Sequence, residues 1–134
     1  MDHDAHAFVA LDGDGKRVFF QAPADGATVT SPLAVVFGAE GVEVKPAGTM
    51  EPNTGHHHLV IDGAPVAAGE AVPADATHIH YGKGQTETEI ELAPGQHTLT
   101  MQLADGMHRS YGPDFSATIT VTVEGAAEGA EAAP

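Results

Sequence analysis

Residues 115–123 alternate without a break: Phe115, Ala117, Ile119, Val121 and Val123 on one side, Ser116, Thr118, Thr120 and Thr122 on the other. A period of two sends successive side chains to opposite faces, so the segment predicts a half-buried antiparallel strand. The same period runs through Gln96–Leu103, where His97, Leu99, Met101 and Leu103 oppose Gln96, Thr98, Thr100 and Gln102. Ala93-Pro94-Gly95 turns the chain into that strand. Before it, Glu87, Glu89 and Glu91 face away from Thr88, Ile90 and Leu92, which predicts a strand with a solvated edge that discourages strand addition. Upstream, Val18-Phe19-Phe20 ends in the turn Pro23-Ala24-Asp25-Gly26, and Leu33–Phe37 is a short apolar run suited to a buried strand. No stretch carries an apolar stripe of period 3.6. Six to eight short strands punctuated by Pro and Gly predict an all-β fold, an immunoglobulin-like antiparallel β-sandwich in a single domain. The domain is expected over 17–124, between a flexible N-terminal segment (1–16) and a disordered Ala/Glu/Gly tail (125–134). Residues 41–55 and 63–76 are left as long irregular loops.

The chain has 134 residues, enough for one sizeable core, and aromatics make up only 5% of it, so the core rests on aliphatic side chains. Five basic against nineteen acidic residues give a formal charge of −14. That balance argues against nucleic acid, whose phosphates call for clustered Lys and Arg, and against an anionic membrane surface, and favours cations or basic partners. No run of about 18 apolar residues offers a membrane span. The absence of Cys removes disulfides, thiolate zinc sites, iron–sulfur clusters and Cys nucleophiles. Ser31, Ser110 and Ser116 lie in no nucleophile elbow, and no catalytic residue is assigned. Asp12-Gly13-Asp14-Gly15 resembles only the opening of a calcium loop and reads as a solvated turn.

Nine histidines outnumber all the Lys and Arg. Gly55-His56-His57-His58-Leu59-Val60-Ile61 opens a strand, and alternation puts His56 and His58 on one side, about 6.5–7 Å apart, with His57 on the other. Thr77-His78-Ile79-His80-Tyr81 repeats the arrangement with His78 and His80. Two imidazoles at that spacing converge on one ion through bonds of about 2.0–2.1 Å. The predicted metal ligands are His56, His58, His78 and His80, completed by His108 and Met107 after the Asp105-Gly106 turn. Imidazole and thioether without thiolate favour copper, with zinc or nickel as alternatives. Asp62 or Asp75 is expected to orient a ligand imidazole, and His57 and His97 to pack or support. Met50 reads as an apolar loop anchor. Met1-Asp2-His3 offers a separate square-planar nest for Cu(II) or Ni(II).

Three segments carry a resemblance: Asn53–Gly63 with its Gly-His-His-His-Leu-Val-Ile-Asp core, His78–Glu87 reading His-Ile-His-Tyr-Gly-Lys-Gly-Gln-Thr-Glu, and Pro94-Gly95-Gln96-His97-Thr98-Leu99. Together they are similar to the small exported bacterial proteins of the domain-of-unknown-function family 4399, over about Val18 to Val123. The resemblance implies a periplasmic or secreted immunoglobulin-like domain made with a signal peptide, and no established activity. It also implies a second histidine shortly after His108, where this chain has Arg109-Ser110-Tyr111. The expected function is a periplasmic metal-binding carrier or buffer with a metal ion as its partner. The competing readings are a structural or protein-binding β-module, whose histidines pin the long loops, and a copper redox enzyme.

Overall fold

A computed structural model describes residues 8, 11 and 15–124. Among the described residues nine strands follow one another: β1 (Arg17–Ala22), β2 (Thr28–Thr30), β3 (Leu33–Glu40), β4 (Glu43–Val44), β5 (Thr54–Ile61), β6 (His78–His80), β7 (Glu87–Ile90), β8 (Gly95–Ala104) and β9 (Ser116–Glu124). One 3₁₀ turn, Pro113–Phe115, leads into β9. Strands β1, β3 and β7 form one sheet, in that order. The second runs β2-β9-β8-β5-β4, with β6 also paired to β5. The protein is an all-β sandwich. The N-terminal segment, the C-terminal tail and the Met1-Asp2-His3 nest lie outside the described residues.

Alternation sorts the side chains as the pattern predicts. Val18, Leu33, Val35, Phe37 and Ile90 of the smaller sheet pack against Leu59, Leu99, Met101, Leu103, Ile119, Val121 and Val123 of the larger. Each side chain of this size contributes about 1.5–3 kcal/mol when fully buried. The Glu87–Ile90 strand is an edge of the smaller sheet, with its glutamates exposed. Two pairings depart from the antiparallel expectation, since β2 runs parallel to β9 and β4 parallel to β5. Both are two- or three-residue contacts, too short to leave a pattern in the sequence.

Strand β5 matters most for the site. It is flanked by β8 on one side, and by β4 and then β6 along the other. Every residue from Thr54 to Val60 is buried, on both faces. Its inner face opposes Leu103 with His57 and Met101 with Leu59. Its outer face, with His56, His58 and Val60, lies beneath the long 62–77 segment and the turn after β8. Gln102, which pairs with His58, ties both of these down: its Oε1 accepts from Val66 N and its Nε2 donates to Gly112 O. Ser110 adds a bond from Oγ to Val66 O.

Candidate metal centre

Pairing fixes three of the histidines. His58 lies directly opposite His80 across the β5–β6 ladder, so both project from the outer face. His56, two residues earlier on β5, projects beside them. The fourth comes from the turn after β8, at His108. Asp105 shapes that turn. Its Oδ1 accepts from Met107 N and Arg109 N, and its Oδ2 from Arg109 Nε at 3.0 Å. His108 N donates to Asp105 O, and His108 takes φ 65°, a left-handed conformation that a non-glycine residue adopts at a cost. The bonds around Asp105 hold it there.

The four rings offer ligand nitrogens that all lie within 4.8 Å of one another. His58 Nε2 is 3.0 Å from His56 Nε2, which is 3.2 Å from His108 Nδ1. The His80 and His108 rings cross nearly perpendicularly, with centroids 4.5 Å apart. For bonds of about 2.05 Å, tetrahedral ligands sit roughly 3.3 Å apart, so the two shortest contacts already match a single ion. His56 and His58 are buried, His108 half-buried and His80 exposed. The set therefore opens to solvent past His80 and His108. Gly82 makes room for this: a Cβ there would collide with the His80 ring, 2.6 Å from its Nε2.

Burial disfavours the charged form of His56, His58 and His80. It pushes His58 down to about 2, with the neighbouring His56, His80 and His108 adding to the shift. Burial likewise pushes His56 down to about 4, helped by His108 and His80. His80 is lowered by burial and then by His108. A neutral imidazole presents the lone pair a cation needs.

The other predicted residues are not among these four rings. His78 shares the outer face but sits opposite Val60, and its Nδ1 contacts Asp75 Oδ1 at 2.8 Å, outside the four-His group. Asp75 thus engages His78, and Asp62 engages His97 at 2.8 Å; neither carboxylate orients one of the four rings. The other nitrogen of His97 is 2.8 Å from Ala93 O, which pins the β7–β8 turn. His57 packs inward, stacked on Phe37 at 4.8 Å, and burial pushes it down to about 4. Met107 follows the turn but is exposed, and Met50 is exposed too. Tyr111, at the place of the second histidine implied by the resemblance, donates its hydroxyl to Thr54 O and takes no part in the group. Sequence reasoning passed over Asp105 and Gln102. A Gln at the end of a polar strand face, and an Asp two residues before Met-His, are the only marks they leave.

A sandwich in which two histidines of β5, one of β6 and one from the turn after β8 converge on the outer face of the larger sheet defines a β-domain with a candidate metal centre. The chain belongs to the family described as Domain of unknown function (DUF4399), whose model matches residues 35–124. No curated protein and no solved structure is significantly similar to it.

Proposed function

We propose that this protein is an exported, periplasmic copper carrier or buffer that holds one ion with His56, His58, His80 and His108. The observation that carries the reading is the convergence of four imidazole nitrogens within 4.8 Å, two of them on buried rings. Hydrogen bonding alone accounts poorly for it. An imidazole nitrogen bears either one hydrogen or one lone pair, so His56 Nε2 does not fully serve both of its contacts. A cation satisfies all four lone pairs at once. Among divalent ions a nitrogen set of this kind favours copper most strongly, and the −14 charge raises the local cation concentration.

The test is a titration of metal-free protein with Cu(II), Cu(I) and Zn(II), using a His3→Ala background to silence the amino-terminal nest. One equivalent of copper is expected to bind tighter than micromolar, with zinc weaker. The variant His80→Ala/His108→Ala, altered on the open side where folding depends least on the rings, is expected to lose that binding. Uptake no tighter than micromolar in the His3→Ala protein would overturn the reading.

A further inference from the structure

The exposed large apolar side chains among the described residues are two, Met50 and Met107, and both sit at the corner from which His108 enters the histidine set. Met107 is 44% exposed and is the residue next to His108. Met50 is 37% exposed, and its Sδ lies only 2.9 Å from where a Cβ on Gly106 would be. The loop that carries Met50 is fixed over this corner. Ala47 N donates to Gly82 O at 2.9 Å and Gly48 N to Gly106 O at 2.9 Å. It therefore bridges the turn after His80 and the turn before His108, the two exposed sides of the set. Met101, by contrast, is wholly buried in the core, where a thioether is ordinary packing.

Two thioethers held in water at the open edge of a nitrogen site have a chemical use. Thioether sulfur is soft and binds Cu(I) while leaving Zn(II) and other harder cations to nitrogen and oxygen. From this geometry we infer that Met50 and Met107 form an outer intake site for Cu(I), which they pass inward to His56, His58, His80 and His108. The inference deepens the copper reading and rests on it. The ion crosses from sulfur to nitrogen without a change of oxidation state, so no oxidant or reductant is involved. The ligand class is a soft monovalent d¹⁰ cation, and the thioethers select it before the less selective histidines receive it.

The experiment uses the full chain with His3→Ala, and the same protein carrying Met50→Leu/Met107→Leu, which preserves size and apolarity. Each is loaded with two equivalents of Cu(I) and its copper X-ray absorption recorded. Transfer of Cu(I) from a chromophoric chelator is then followed by stopped flow. The expected results are sulfur scattering in the parent that vanishes in the double variant, and transfer at least tenfold slower in that variant. Its Cu(II) affinity and melting temperature should stay unchanged. A nitrogen-only spectrum in the parent, or equal transfer rates, would overturn the intake site. Failure of the histidine reading looks different: Cu(II) then finds no site tighter than micromolar in either protein, whatever the sulfur signal.

Discussion

Gly82 shows how one missing methyl shapes the candidate centre. Its backbone needs no left-handed conformation; its role is space, because a Cβ would strike the ring of His80. That ring is the far end of a side chain on an exposed position, so it has room to swing away while the strand stays in place. Gly82→Ala is therefore expected to leave the melting temperature within a degree or two and to weaken copper binding roughly tenfold, as displaced supports of metal ligands do. His80→Ala should match or exceed that loss, whereas His78→Ala should have little effect on affinity, since His78 contacts Asp75 and not the other rings. Competition titrations of the three variants against a common chelator measure the ranking. The His-x-His spacing made His78 and His80 equal candidates. Cross-strand register separates them, because only His80 faces His58.

At the scale of the element, β5 buries three consecutive imidazoles, two on one face and one on the other. Burial holds His56 and His57 at about 4 and His58 at about 2, all below the 6.5 of the free side chain. As pH falls below about 6.5, the unfolded chain takes up protons that the folded one refuses. The stability of the metal-free protein is thus intact above pH 6.5 and is lost progressively as the pH drops towards 4, by about 1.4 kcal/mol per pH unit for each such histidine. His97 acts in the opposite sense: the Asp62 carboxylate beside it raises it, so its smaller contribution is present in acid and fades as pH rises through the raised value. The net expectation is a urea midpoint that falls steeply from pH 7 to pH 5. A flat profile over that interval would contradict the neutral, buried state of these rings. The period-two pattern placed β7, β8 and β9 to within a few residues, because half-buried strands write their burial into alternation, while β1 and β3 showed only as short apolar runs beside turns. It could not show that β5 is covered on both faces, since that cover comes from irregular segments with no periodicity.

Over the whole molecule, the four histidines come from β5, β6 and the turn after β8, and those on different segments lie 22 to 52 residues apart in the chain. An ion held by all four cross-links those segments in the folded state only. At a free concentration a hundredfold above Kd it should stabilise the fold by about 2.7 kcal/mol. For a domain of this size that corresponds to a rise in Tm on the order of 10 °C. Calorimetry of the His3→Ala protein with and without copper checks this, and the His80→Ala/His108→Ala variant should show no rise. Among the described residues no helix is long and apolar enough to cross a membrane, which agrees with the sequence.

By itself the sequence determined the all-β class, the strand faces, the family and the two His-x-His units, because each is written in local order: a period of two, a turn residue, a contiguous motif. It also singled out His108, though only by its neighbours Met107 and the Asp105-Gly106 turn. Which histidines meet was decided by the tertiary structure alone. Register across the β5–β6 ladder selected His80 over His78, the Asp105-bound turn delivered His108, and the cover pinned by Gln102 and Ser110 buried His56 and His58. Convergence of this kind depends on contacts between residues far apart in the chain, and such contacts leave no periodicity to read. The same holds for Met50, an unremarkable loop residue in the sequence, whose sulfur the fold sets against the turn that carries Met107 and His108.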